Sequence, residues 1–270
     1  MHLIKIKLSS GTTIAYRDEG SGEPIVLLHG YCGSHRYWDE VLPSIESHGR
    51  VIAVDLRGHG QSSAGEGVYT MEQLADDLAA LLDELKLPQV NLFGHSLGGY
   101  IALAFAEKYP DRLLALGLVH STAFPDSEQA QANRLKAAEA IGTQGVVPFV
   151  DGLIPKLFAP EHRESMPEKL SEAKEIGYGT SAEGAIGCAL GMKDRPDRVS
   201  VLEQLDIPIL LLAGELDEVI PPEKRFPVSK SNVAAVTLAG VAHMGMMEDS
   251  QAFATGIAEF LERNRGSGSV

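Results

Sequence analysis

The sequence predicts an α/β fold, a mostly parallel sheet covered by helices. Three observations carry that expectation. Short apolar runs recur along the chain, amphipathic stretches of helical period separate them, and most of the runs are continuous rather than alternating, as strands buried on both faces require.

Taken in order, Met1 to Leu8 alternates apolar and basic residues, a strand pattern without the apolar block of a secretory signal. Ile25–Leu28, Val51–Val54, Val90–Phe93, Leu113–Val119, Ile209–Ala213 and Ala234–Leu238 read as further strands. Met71 to Lys86 places Leu74, Leu78, Leu81, Leu82 and Leu85 at helical spacing, and Ser250 to Arg263 does the same with Phe253, Ile257, Phe260 and Leu261. The rhythm breaks between about Ser121 and Leu205. Candidate helices there are Glu128–Ala140, Val146–Phe158, Pro167–Ile176 and Ala182–Met192, each marked off by Gly or Pro. A helical cap over the carboxyl edge of the sheet is the natural reading, because ligands bind outside those strand ends. The expected division is a core of residues 1–120 and 206–265, a cap of 121–205 and a flexible Gly/Ser tail at 266–270.

The chain has 270 residues, 44% hydrophobic and 22% charged, with a formal net charge of −14. That is ordinary globular composition, and the negative charge argues against nucleic acid or anionic lipid as a partner. No apolar run is long enough to span a bilayer. Cys32 and Cys188 are far apart in sequence and match no metal-ligand spacing, so a cytoplasmic protein with free thiols is expected; their separation alone leaves a disulfide open.

Ser96 lies in Gly94-His95-Ser96-Leu97-Gly98-Gly99, between the apolar run Val90–Phe93 and the helix-like Tyr100–Ala106. Such a G-x-S-x-G turn holds its serine in a strained conformation with the hydroxyl raised above the sheet edge. A serine hydroxyl is a weak nucleophile, so it needs a base and the base needs an orienting carboxylate. Asp217 follows the strand Ile209–Ala213 and His243 follows Ala234–Leu238, which completes the chain order Ser, Asp, His. Glu215 and Glu218 are the rival carboxylates. Two amides can serve as an oxyanion hole: Leu97 N–H at the helix start, and Tyr31 N–H in the His29-Gly30-Tyr31 turn after Ile25–Leu28.

With these elements the chain resembles the α/β-hydrolase superfamily, especially its small bacterial esterases and enol-lactone hydrolases, from about Thr13 to Leu261. Asp55-Leu56-Arg57-Gly58-His59-Gly60-Gln61-Ser62 also looks like that family's turn. The resemblance implies an eight-stranded sheet with the cap inserted after the sixth strand. It further implies Ser96 as nucleophile, His243 as general base and acid, Asp217 as orienter, and Tyr31 and Leu97 as oxyanion hole.

Tyr31, Phe149, Leu153 and Met244 are the side chains expected to touch substrate, with the apolar stretch Val146–Phe158 supplying the underside of the cap. His29, His59 and His95 read as loop-bracing groups, Cys32 as a buried space-filler, and His120 with Ser121 as either substrate contacts or packing. The expected activity is cofactor-free and metal-free hydrolysis of small to medium carboxylic esters by a monomer or homodimer. Enol-lactone hydrolysis, perhydrolysis and a low-turnover signalling receptor are the alternatives.

Overall fold

The computed structural model describes residues 3–265; Met1, His2 and the tail 266–270 lie outside the described residues. Eight strands form one sheet: β1 (Ile4–Lys7), β2 (Thr13–Glu19), β3 (Pro24–Leu28), β4 (Arg50–Asp55), β5 (Val90–His95), β6 (Leu113–Val119), β7 (Ile209–Gly214) and β8 (Val233–Leu238). Their spatial order is β1-β2-β4-β3-β5-β6-β7-β8. β2 runs antiparallel to β1 and β4, and every other pairing is parallel.

Strand β2 is absent from the sequence expectation for a physical reason. Its second half, Arg17-Asp18-Glu19, carries three charges, which masks the apolar half Ile14-Ala15-Tyr16. Pairing removes the objection: Arg17 pairs with Asp39 and Glu19, and Asp18 accepts both Arg50 Nε and Nη2, at 2.8 and 2.6 Å. The central strand β5 is buried at all six positions, its two polar residues included: Asn91 Nδ2 donates to Glu23 Oε1 at 2.7 Å and His95 bonds the His243 carbonyl at 2.9 Å. The edge strand β1 alternates half-buried and exposed residues, with Lys5 and Lys7 outward, a charged edge that discourages pairing with another chain.

The helices are α1 (Leu42–Ile45), α2 (Met71–Glu84), α3 (Leu97–Lys108), α4 (Glu128–Gln144), α5 (Val146–Leu153), α6 (Pro160–Ser165), α7 (Pro167–Tyr178), α8 (Ala182–Lys193), α9 (Val199–Gln204), α10 (Gly245–Glu248) and α11 (Ser250–Asn264). Helices α2 and α3 pack together on the sheet and α11 lies against β7, β8 and α1. Between β6 and β7 the chain leaves the sheet and forms α4 to α9, with α4 along α8 and α5 against α7.

One expected helix is interrupted. Val146–Phe158 ends its α-helical turn at Leu153 and continues as a 3-10 turn, Ile154–Leu157. Pro155 lacks the N–H that would bond the Asp151 carbonyl, so the α-helical ladder cannot continue through it, although Ile154 itself keeps helical angles, φ −55° and ψ −45°. Ser127 and Ser181 cap α4 and α8 by accepting the N–H of Ala130 and Gly184.

Candidate active site

Ser96 stands between β5 and α3 at φ 49° and ψ −111°, a conformation L side chains rarely adopt. Its backbone is bonded on both sides. The N–H donates to the Val119 carbonyl at 3.1 Å, while the carbonyl accepts from Gly99 N–H at 2.9 Å, Tyr100 N–H at 3.2 Å and Ser121 Oγ at 2.8 Å. Close approach of α3 to the sheet completes the restraint, because a Cβ on Gly98 would collide with the Leu28 carbonyl. A strained conformation persists where its surroundings over-determine it, and these contacts do so. Cys32 and His120, past β3 and β6, also have positive φ, at 55° and 47°, so three of the four non-glycine residues of this kind lie at this edge of the sheet.

Asp217 and His243 follow β7 and β8 and are brought together. His243 Nδ1–H donates to Asp217 Oδ2 at 2.8 Å, and Asp217 Oδ1 accepts the N–H groups of Val219 and Ile220 at 2.8 and 3.0 Å. Burial alone would raise the Asp217 pKa; the adjacent His243 and His120 outweigh it and hold the carboxyl well below the usual carboxylate range. Glu215 does not reach this pair, since its Oε2 accepts from Gly240 N–H at 2.9 Å, and Glu218 is exposed.

The His243 loop has further anchors. His95 is fully within the core, and its Nε2–H donates to the His243 carbonyl at 2.9 Å. His243 N–H donates to the Leu157 carbonyl of the cap at 2.9 Å. Glu248, whose side chain is fully buried, accepts from Ala242 N–H and Met244 N–H through Oε1 at 3.1 and 3.0 Å. Its Oε2 accepts from Ala159 N–H and His162 Nδ1–H, both at 2.8 Å. Sequence reasoning missed Glu248. The signal was a single charge closing the run Met244-Gly245-Met246-Met247.

His120 is too deeply placed to touch substrate. Its ring stacks on Phe253 at 6.0 Å and 6°, and its Nδ1 lies 3.5 Å from Asp217 Oδ2. His120, Asp217 and His243 bring potential ligand atoms within 4.8 Å of one another. Within this group the His243 Nδ1 to Asp217 Oδ2 contact has the length of a hydrogen bond, 2.8 Å. His29 and His59 are buried, and burial pulls their pKa values down to about 3 and about 4. His29 Nδ1–H donates to the Gly30 carbonyl at 2.7 Å while Nε2 accepts from Leu56 N–H at 3.0 Å, which braces the turn after β3.

Leu97 opens α3 immediately after Ser96, and its side chain is fully buried. The first N–H groups of a helix have no intrahelical acceptor, so α3 itself leaves this amide available. Tyr31 sits in the neighbouring turn, closed by Gly33 N–H donating to the Gly30 carbonyl at 3.0 Å. Gly30 packs so close that a Cβ there would lie 3.4 Å from Ser96 Cβ and 2.5 Å from the His95 ring. Cys32 and Cys188 are free and buried, and burial pushes the Cys32 thiol up to about 12, which keeps it protonated and unreactive at neutral pH.

A cavity of about 530 Å³ lies between cap and sheet. Tyr31, Phe149 and Leu153 are on its wall, with Tyr100, Thr122 and Ile220, chain neighbours of Ser96, Ser121 and Asp217, which themselves, like His243, are not on it. The Tyr31 hydroxyl donates to the Ala185 carbonyl of α8 at 2.8 Å and its ring meets Phe149 edge-on at 5.8 Å, joining turn to cap. Met244 departs from expectation. It retains no accessible surface and is not on the cavity wall, because Glu248 draws its backbone inward and turns the side chain into the core.

The eight-stranded, mostly parallel sheet with helices on its faces agrees with the comparisons to known proteins. The family pattern of the alpha/beta hydrolase fold matches residues 23–250, and the chain belongs to that family. A thermophilic esterase from Thermogutta terrifontis, solved with malate bound, is 34% identical and superposes with a TM-score of 0.91 over 98% of this chain and 99% of its own. A Bacillus subtilis relative, whose name proposes a 2-succinyl-6-hydroxy-2,4-cyclohexadiene-1-carboxylate synthase, is 33% identical over 97% of this chain and 99% of its own. The 3-oxoadipate enol-lactonase 2 of Acinetobacter baylyi is 28% identical over 89% of each chain. No helix among the described residues is long and apolar enough to cross a membrane.

Proposed function

We propose that the chain hydrolyses carboxylic esters of small to medium size through Ser96, His243 and Asp217. The observation that carries the reading is the 2.8 Å bond from His243 Nδ1–H to Asp217 at the strand ends beside the strained Ser96 turn. With Nδ1 engaged as donor, Nε2 is the basic nitrogen of the neutral ring. It takes the Ser96 proton as Oγ attacks the ester carbonyl carbon, and then gives that proton to the departing alcohol oxygen. Water attacks the acyl-Ser96 ester next, losing its proton to Nε2 and releasing the acid with Ser96 restored. The Leu97 and Tyr31 amides hold the negative oxygen of both tetrahedral intermediates.

The similarity to an esterase at 34% identity supports the ester reading, and a cavity of about 530 Å³ suits substrates of this size. Enol-lactone opening requires the same attack on an ester carbonyl, and the similarity to an enol-lactonase favours it as a second reading. The test is a fluorophosphonate probe followed by peptide mass spectrometry, with p-nitrophenyl ester rates measured across acyl length. Labelling of Ser96 together with the fastest rates on short and medium acyl chains is expected. Labelling elsewhere, or none, overturns the assignment.

A further inference from the structure

The wall of the cavity carries four cationic side chains, Arg134, Lys156, Arg195 and Lys224, against one carboxylate, Asp126, in a chain whose net charge is −14. The two arginines share that carboxylate. Arg195 Nη1 donates to Asp126 Oδ1 at 2.6 Å and Arg134 Nε donates to Asp126 Oδ2 at 3.1 Å. Both Nη groups of Arg195 are otherwise engaged, with the carbonyls of Met192 and Phe124 at 3.0 and 3.2 Å, its guanidinium lies 3.9 Å above the Tyr100 ring, and its Nε is buried away from the cavity without a partner. Those of Arg134 are not. Among the described residues its two Nη groups have no hydrogen-bond partner, and 24% of its side chain remains exposed, on the cavity wall. Lys156 and Lys224 likewise have no ion pair among the described residues.

One carboxylate cannot neutralise two guanidinium groups, so the cavity keeps a surplus positive charge beside an unfilled planar donor edge. A guanidinium edge of that kind matches a carboxylate in a two-point contact. From this we infer that the ester substrate carries a carboxylate of its own, held in the cavity by Arg134 with Lys156 and Lys224 adding attraction at its rim. The inference rests on the ester-hydrolase reading and narrows it to anionic esters and lactones.

The test compares kcat/KM for p-nitrophenyl butyrate with an acyl-side acid, p-nitrophenyl hemiglutarate, and an alcohol-side acid, 4-carboxyphenyl butyrate. At least one carboxylate ester exceeds the neutral one about tenfold, as one charge-assisted contact allows. Arg134→Gln lowers that ratio about tenfold, Arg134→Lys restores part of it, and 0.5 M salt compresses it. Both rates come from one sample, so lost folded protein cancels in the ratio. Calorimetric binding of glutarate to Ser96→Ala, with and without Arg134→Gln, gives a readout independent of turnover. If glutarate binds through Arg134 while no ester is cleaved, the hydrolase reading falls and the anion site stands. If the neutral ester equals or beats both acids, or Arg134→Gln moves neither the ratio nor glutarate binding, the inference is overturned.

Discussion

The Ser96 turn and the His243 loop meet at one edge of the sheet, yet they are built by different means. The serine is fixed by backbone: bonds to Val119, Gly99 and Tyr100, and a helix seated against Leu28 at Gly98. The histidine is fixed largely by side chains, Asp217 and His95 from other strand ends and Glu248 from the helix that follows, together with the main-chain carbonyl of Leu157. A nucleophile needing a strained conformation calls for rigid main-chain packing. In the proposed mechanism His243 is protonated and deprotonated twice per turnover, which calls for buried polar partners that accept either state.

The comparison can be broken first at the nucleophile. Ser96→Ala removes the attacking atom without disturbing the backbone bonds, so ester turnover falls by about 10⁶ while the melting temperature stays close to that of the parent. Retained activity in purified protein would falsify the triad. Asp217→Asn comes next, with a loss of about 10⁴ because the amide no longer fixes the His243 tautomer. Glu215→Gln, which disturbs only the bond to Gly240, keeps most activity, and steady-state kinetics on the pair separate the two carboxylates.

Glu248→Gln sharpens the contrast at the loop. The glutamine oxygen can still accept from Ala242 and Met244, but the side-chain NH2 then faces the Ala159 N–H, leaving at least this buried donor unmet at about 1–3 kcal/mol, so calorimetry finds melting lowered by about 2–12 °C or more. Activity falls with it because His243 loses register. An equal melting temperature with unchanged kcat would remove Glu248 from any positioning role.

Acid breaks the fold without any substitution. His29 and His59 have pKa values lowered by burial to about 3 and about 4, against an ordinary 6.5. Below 6.5 the unfolded chain therefore binds more protons than the folded one, and stability declines as pH falls toward 4. Above 6.5 both states hold neutral imidazoles and these two residues contribute no slope. Asp217, held low, keeps its contribution across this window and loses it only in stronger acid. Denaturant titrations from pH 8 to 4 check the sign. A stability that is flat or rises on acidification contradicts it.

Legibility in the sequence follows the same divide. The Ser96 turn is local, six consecutive residues between a strand and a helix, and its pattern states its geometry. Asp217 and His243 were readable because each follows an apolar strand at a fixed short distance. Glu248 and Arg134 were not, since their partners lie up to 89 residues away or in a cap whose fold no short pattern encodes. Met244 was misread for that reason: adjacency to His243 suggested contact with substrate, whereas the Glu248 bonds turn it inward. Strand β2 was hidden by charges that only ion pairing in three dimensions explains.

The bonds from Leu157, Ala159 and His162 to the His243 loop also govern how this roof can be exchanged. Grafting a relative's cap by joining only at its two ends would transplant the walls of the cavity together with the struts that set the base. A chimaera that keeps residues 157–162 from this chain and replaces α4, α5 and α8 retains its chemistry while changing its clientele. One that replaces the struts loses both.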